Sequence, residues 1–343
     1  QHLKDIKPAV MTVGGFFDAE DLYGPLNTYQ AIEKSSKNYN TIVMGPWSHG
    51  DWARNSANAT IGNINFGDSI SGFYQKNIEA NFFRHFLKNN GKGENKLPEA
   101  YMFDTGAKEW KTYDAWPPKN TEKQDFYLQG SKLSRQGQRN FAFEEFVSDP
   151  KKPVPFTEDI NQRGITPRKY MTDDQRFAAR RPDVLVFETS VLEDDTTLAG
   201  DILAKLQVAT TGTDADWVVK VIDVFPADAP ENKEMAPYLK MSNYHMMVRS
   251  EVMRGRFRNS FITPQAFVPN EKTAVNIKLQ DVMHTFKKGH KIQIQIQSTW
   301  FPLIDLNPQT FVDNIFYAKP EDFKKQTHRV YNDSTIEFTV LKP

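Results

Sequence analysis

The sequence predicts an α/β unit followed by an all-β region, on three observations. Two short apolar runs, PAVMTVGG and NTIVMG, bracket a segment with helical spacing. From Asp125 onward apolar and polar residues alternate with period two, the signature of strands. The pattern changes at Trp116-Pro117-Pro118, a natural breaker. A chain of 343 residues exceeds what one typical core organises, so two domains are expected, 1–118 and 119–343.

The first strand, PAVMTVGG, ends in a glycine pair that lets the chain turn sharply. FFDAEDLYG then packs three carboxylates into four positions, Asp18, Glu20 and Asp21, which repel one another unless each has a partner. Pro25 marks a helix start, with Leu26, Tyr29 and Ile32 at helical spacing and Lys34 near the end. A second strand, Thr41 to Met44, leads into GPWSHG, the loop that holds His49. In SGFYQKNIEANFFRHFLKNNGKG, Phe73, Ile78, Phe82, Phe86 and Leu87 mark one face of a closing helix that stops at Gly91. AYMFDTGAKEWKTYDAWPP reads as a hairpin turning near Gly106.

In the β region, KIQIQIQ sets Ile292, Ile294 and Ile296 on one face and Gln293, Gln295 and Gln297 on the other, predicting a half-buried strand. IKLQ, with Ile277 and Leu279 apolar, follows the same rule. ILAKLQVAT and DWVVKVIDVF add two strands joined by TGTDAD, the spacing of an antiparallel sandwich. The polar stretch from about Phe141 to Arg181 has little periodicity and is expected to be a long ordered loop.

Charge and composition exclude several functions. The 43 basic and 43 acidic residues cancel, leaving no broad positive field for nucleic acid or an anionic membrane. With no cysteine, disulfides and thiolate metal sites are excluded, although the compartment is not thereby fixed. No apolar run approaches the ~20 residues of a membrane span. QHLKDIKPAV has neither a basic nor a long apolar stretch, so no targeting segment is expected in it. Glu193-Asp194-Asp195 reads as a solvated loop in preference to a Ca²⁺ site, and Arg254, Arg256 and Arg258 as residues facing solvent or pairing with acids. His85, His284 and His290 sit in contexts that suggest surface or packing roles.

The chemistry lies in the order strand, acidic loop, helix, strand, histidine loop. Parallel strands joined by a helix end on one edge of the sheet, where open α/β sheets place their sites. Asp18 and His49 each follow a strand, about thirty residues apart, the length of one such unit. An aspartate that accepts from one ring nitrogen leaves the other free to act as a base, which makes two thirds of a Ser-His-Asp triad. The third part is missing: no G-x-S-x-G occurs in the 343 residues, and GDSISG, Gly67 to Gly72, lacks the second glycine at the required place. Either the serine lies on another segment, or the acid and the histidine do something else.

GGFFDAEDLYGPLNTYQAI followed by GPWSHG resembles the acid and histidine segments of the CocE/NonD group of serine hydrolases. That group includes cocaine esterase, X-Pro dipeptidyl-peptidases, glutaryl-7-aminocephalosporanic acid acylase-like proteins and α-amino acid ester hydrolases. RPDVLVFETSVLEDDTTLAGDILAKLQVATTGTDADWVVKVIDVFP and GHKIQIQIQSTWFPLIDLNPQT resemble the group's C-terminal jelly-roll domain. The resemblance implies the C-terminal portion of an α/β-hydrolase sheet followed by a jelly-roll, galactose-binding-like β-sandwich. It also implies that Asp18 is the triad acid, His49 the general base, and Glu20 and Asp21 a carboxylate pair that holds the ammonium group of an acyl donor. The expected substrate is a small ester or amide. The expected partner is an N-terminal catalytic segment carrying the serine, with a homo-oligomer left open. Without that segment the chain is expected to be inactive. Neither cofactor nor metal is implied, and the family suggests a periplasmic or secreted bacterial protein.

On the residues alone, other readings stand beside these. Acids at a helix N-terminus gain roughly 0.3 to 1 kcal/mol from the dipole, so capping alone accounts for Glu20 and Asp21. Asp18, Glu20, Asp21 and His49 also offer oxygen and imidazole ligands to a divalent metal, with no paired histidine motif in support. A non-catalytic module, in which a remnant hydrolase unit supports a ligand-binding jelly roll, is the alternative function.

Overall fold

The structure is a computed structural model that describes residues 3–54, 60–67, 69–89, 92, 97–137, 142–159, 169–231 and 236–342. Its first sheet has the order β1-β2-β5-β6, from Val10–Gly15, Asn40–Gly45, Ala100–Asp104 and Glu109–Tyr113. β1 and β2 run parallel in register from Val10 opposite Asn40 to Gly15 opposite Gly45, so both strands end on one edge. Helix α1, Tyr23–Ser35, joins them and buries Leu26, Tyr29 and Ile32, the three positions its spacing selects. β5 continues the sheet in parallel and β6 returns antiparallel through the turn at Gly106. A two-stranded hairpin, β3 Thr60–Ile61 and β4 Ile64–Asn65, follows the histidine loop.

Residues 70–88 are helical, but not with one continuous apolar face. Two π-helical stretches, Tyr74–Glu79 and Arg84–Lys88, interrupt the α-helical turns. Each wide turn rotates the following side chains away from the 3.6-residue stripe. Tyr74, Ile78 and Phe82 are buried, whereas Phe73 and Leu87, expected on the same face, are exposed. Gly91 lies outside the described residues.

The remainder is β-rich: eleven strands lie on one hydrogen-bonded network. They are β7 Thr121–Gln129, β8 Lys132–Ser134, β9 Phe143–Ser148, β10 Leu185–Glu188, β11 Thr196–Thr210, β12 Asp216–Val224, β13 His245–Arg254, β14 Thr273–Phe286, β15 Lys291–Gln297, β16 Gln326–Tyr331 and β17 Thr335–Leu341. The order is β13-β12-β15-β10-β8-β7-β17-β11-β16-β9, with β14 paired to β11. β11 and β12 are consecutive, yet the TGTDAD turn does not make them a hairpin: β11 pairs with β14, β16 and β17, and β12 with β13 and β15. One core takes Leu198, Ile202, Ile277, Leu279 and Phe338 from the first group and Trp217, Val219, Val221, Ile292, Ile294 and Ile296 from the second.

Two local expectations change. Phe143–Ser148, read as loop, is a strand paired antiparallel with β16, with Phe146 and Ser148 buried. Phe141 and residues 160–168 of that stretch lie outside the described residues. β15 is buried on both faces instead of one. Gln175 covers Gln295, and each of the three amide nitrogens finds an acceptor, while Oε1 of Gln295 and of Gln297 accepts nothing among the described residues. Gln295 Nε2 donates to the Gln293 side chain at 2.8 Å and to the Gln175 carbonyl at 3.2 Å. Gln293 donates to Glu188 at 2.7 Å, and Gln297 to the Thr299 carbonyl at 2.7 Å.

The two sheets share a second core, in which Phe16, Phe17, Ile42, Met44 and Phe103 meet Trp116, Tyr170, Tyr244, Met246, Met247, Met283 and Trp300. The contact is specific as well as apolar. The Asp104 carboxylate accepts from the amide and hydroxyl of Thr285 at 2.9 and 2.5 Å, and the Thr105 amide donates to the Met283 carbonyl at 3.0 Å.

Candidate active site

The loops after β1 and β2 touch directly. A Cβ on Gly15 would lie 2.1 Å from the Trp47 carbonyl oxygen, so only glycine allows this approach. The Phe16 amide donates to the Gly45 carbonyl at 2.8 Å and the Phe17 amide to that of Trp47 at 3.0 Å. These contacts carry the acid loop alongside the histidine loop. Below them Trp47 is buried against Tyr74, Trp52 and Trp110, and the Trp52 ring lies 6.3 Å from that of His49.

Asp18 is buried, with 2% of its side chain exposed, and its Oδ2 lies 2.9 Å from His49 Nδ1. Its Oδ1 accepts from the amides of Glu20 at 2.8 Å and Asp21 at 3.0 Å, which fixes the carboxylate and turns the chain toward α1. With Nδ1–H donating to Asp18, the other nitrogen of His49 carries the lone pair. The His49 side chain is 39% exposed, and Nε2 has Glu20 Oε2 at 3.9 Å. Ser48, next to His49, is buried and donates to Asp51, so it is not aimed at the imidazole.

The three carboxylates therefore have three environments. Asp18 faces the histidine and Glu20 faces Nε2 from a half-exposed position. Asp21 accepts from the Gly24 amide at 2.7 Å, where a Cβ on Gly24 would collide with the carboxylate at 2.2 Å. It binds an amide of the first turn of α1, as the capping reading has it. Among the described residues no group of histidine and carboxylate side chains is placed to hold a metal ion.

Sequence reasoning missed the groups behind the acid loop. Arg249, buried on β13, donates to the Phe16 carbonyl at 3.1 Å and to the Asp281 carbonyl at 3.2 Å. Burial pushes the Tyr170 phenol up to about 12; Arg249 pulls the other way, while Glu251 and Asp18 add to the rise. An arginine inside the strand HMMVRSEV, beside an apolar run, was the available signal.

Comparison with known proteins places the chain. Residues 90–340 match the X-Pro dipeptidyl-peptidase C-terminal non-catalytic domain. The chain belongs to this family, as a C-terminal portion of the CocE/NonD-type hydrolases. Among CocE/NonD relatives, cocaine esterase of Rhodococcus sp. (strain MB1 Bresler) is 27% identical, covering 88% of this chain and 50% of its own length. A crystallised aminopeptidase from the marine sediment archaeon Thaumarchaeota archaeon is 36% identical with a TM-score of 0.91, covering 98% of this chain and 56% of that one. A selenomethionine-labelled α-amino acid ester hydrolase is 37% identical with a TM-score of 0.87, covering 97% and 56%. The chain thus spans about half the length of these relatives. Asp18 and His49 precede the span matched by the non-catalytic domain, which takes in β5, β6 and the β-rich region.

Proposed function

We propose that this chain supplies the acid and the base of a serine acyl hydrolase. Asp18 holds His49 in the Nδ1–H tautomer. Nε2 takes the proton from a serine hydroxyl as it attacks an ester or amide carbonyl, then returns it to the leaving group. Water repeats the sequence on the acyl-enzyme. The observation that carries the proposal is the 2.9 Å contact between a buried carboxylate and a histidine whose side chain is 39% exposed. In this reading the serine lies on a segment outside these 343 residues, which contain no G-x-S-x-G.

The acyl group in this reading carries an α-amino function. Glu20 lies beside the base and Asp21 one residue on, and two carboxylates attract an ammonium while disfavouring acyl donors that lack one. Likeness to an aminopeptidase and to an α-amino acid ester hydrolase supports this choice. In the same reading 1–118 is the C-terminal part of the α/β-hydrolase domain and 119–343 a jelly-roll, galactose-binding-like sandwich. The core drawn from two groups of antiparallel strands supports the sandwich. The description of the matched family domain as non-catalytic favours a second reading, a ligand-binding module, for 90–340; Asp18 and His49 lie outside that span.

A serine-directed fluorophosphonate tests the proposal. The 343-residue chain should not react, and a chain extended to include a G-x-S-x-G elbow should label at that serine. Labelling of the short chain, or none of the extended one, overturns the assignment.

A further inference from the structure

The peptide unit between Phe16 and Phe17 is held at both ends. Its N–H, on Phe17, donates to the Trp47 carbonyl of the histidine loop at 3.0 Å. Its carbonyl, on Phe16, accepts from Nη1 of Arg249 at 3.1 Å, and the guanidinium carbon lies 5.8 Å from the Phe16 ring centroid. Nη2 of Arg249 spans to the Asp281 carbonyl at 3.2 Å. One side chain of the β-rich region thus grips the backbone two residues before Asp18.

Arg249 is an unusual group for that place. It is 3% exposed, and among the described residues no carboxylate lies within ion-pairing distance; its Nε makes no hydrogen bond to them. Asp281, Glu251 and Tyr170 are the titratable groups around it. Burial pushes its guanidinium down to about 10, so it stays charged at neutral pH. A buried cation that spends its donors on two backbone carbonyls fixes geometry more than it adds stability. The strand is shaped to deliver it. Between β12 and β13, Val221 pairs with Arg249 and Ile222 with Met247, leaving Val248 as an extra residue. Such a bulge re-aims the side chains next to it. Val248 enters the core of the β-rich region, Met247 the core shared with the α/β unit, and Arg249 reaches Phe16.

We propose that Arg249 is a positioning residue for the Asp18–His49 pair, by which the β-rich region sets the acid loop against the histidine. The inference rests on the acid and base reading above. It makes the β-rich region part of what keeps the base in its working tautomer. A displacement of catalytic groups by about 1 Å can cost on the order of a hundredfold in rate, so one backbone clamp has leverage.

The test is ¹⁵N NMR of the histidine-labelled 343-residue chain, which reads the His49 tautomer without any turnover. The native chain should show Nδ1–H bonded to Asp18. Arg249→Met should move His49 toward a mixture with the Nε2–H tautomer, and Arg249→Lys, which keeps a cation but has a single donor nitrogen for the two carbonyls, should restore part of the native signal. Thr105→Val, which weakens the junction of the two regions elsewhere, should leave His49 unchanged. Native His49 signals in a folded Arg249→Met chain, or the same change in Thr105→Val, overturn the inference. If Arg249→Met does not fold, Arg249→Lys decides: a His49 spectrum identical to the native one overturns it. A native chain with His49 as the Nε2–H tautomer defeats the acid and base reading instead.

Discussion

His49 meets Asp18 at 2.9 Å, and in the β-rich region His284 meets Asp223 at 3.2 Å, yet the two imidazoles are placed for different work. His49 follows a parallel strand, with Nδ1 bonded and Nε2 of a part-exposed side chain 3.9 Å from the Glu20 carboxylate. His284 is fully buried under the β5–β6 turn, and both nitrogens are engaged: Nε2 with Asp223, and Nδ1 with the Thr105 hydroxyl at 2.8 Å. His290 adds a second contact to Asp223 at 2.8 Å. Thr105, His284 and Asp223 thus present the residue types of a hydrolytic triad where no substrate can enter. An Asp–His contact can serve as a base only where the second nitrogen, or a hydroxyl it activates, is reachable by a substrate; with His284 0% exposed, this set is a buried polar network that locks one layer to another.

Turnover should show the largest difference between these pairs. In a catalytically complete form of the protein, His49→Ala should lower kcat by on the order of 10⁶ while leaving the melting temperature nearly unchanged. Calorimetry with steady-state assays checks both halves of that statement.

Asp223→Asn should do the reverse. Burial alone would raise the Asp223 carboxyl, but hydrogen bonds from His284 and His290, with their charge, outweigh it and hold the group below the usual aspartate range. A lowered folded value means the stabilisation is complete above the ordinary aspartate range and is lost as pH falls through the folded value. The substitution should therefore cost roughly 3–5 kcal/mol at pH 7 and less in acid, measured by urea unfolding at several pH values. An equal loss at every pH would remove Asp223 from that role.

Lys220 extends the comparison to a buried base with no acid. It donates to Gln175 at 3.0 Å and lies 4.9 Å from the Trp300 ring centroid, with no ion-paired carboxylate among the described residues. Burial pushes its ammonium down to about 7. Between that value and the ordinary lysine range the unfolded chain binds more protons, so stability rises with pH, by at most about 1.4 kcal/mol per unit. Lys220→Met should flatten that rise in unfolding experiments between neutral and mildly alkaline pH.

The smallest effect is expected at the carboxylates. Glu20→Gln with Asp21→Asn should weaken amino-acyl esters relative to acetyl esters by roughly 1 kcal/mol in kcat/KM, since Glu20 is 44% exposed and water screens it. Equal losses on both substrates would leave only the helix-start role of Asp21.

The part of the site legible in sequence is the part encoded locally. The run from β1 to the histidine loop is one strand-helix-strand unit, and turn residues, apolar spacing and two polar positions suffice to place Asp18 and His49 together. Arg249 and His284 were not legible, because their partners lie 233 and 61 positions away and depend on how the sheets pack. The glutamines of β15 were misplaced for the same reason: period two sorts the faces of a strand but does not say whether another segment covers the second face. In 70–88 the fault is local, since π-helical turns leave no mark in an apolar pattern read at 3.6.

Carbethoxylation of the 343-residue chain with diethyl pyrocarbonate, read residue by residue by peptide mass spectrometry, tests the difference between the two pairs most directly. The reagent attacks an unprotonated, accessible ring nitrogen. His49 should be modified at Nε2 under native conditions while His284 stays untouched until the chain unfolds. Modification of His284 in the folded chain, or protection of His49, would contradict the account.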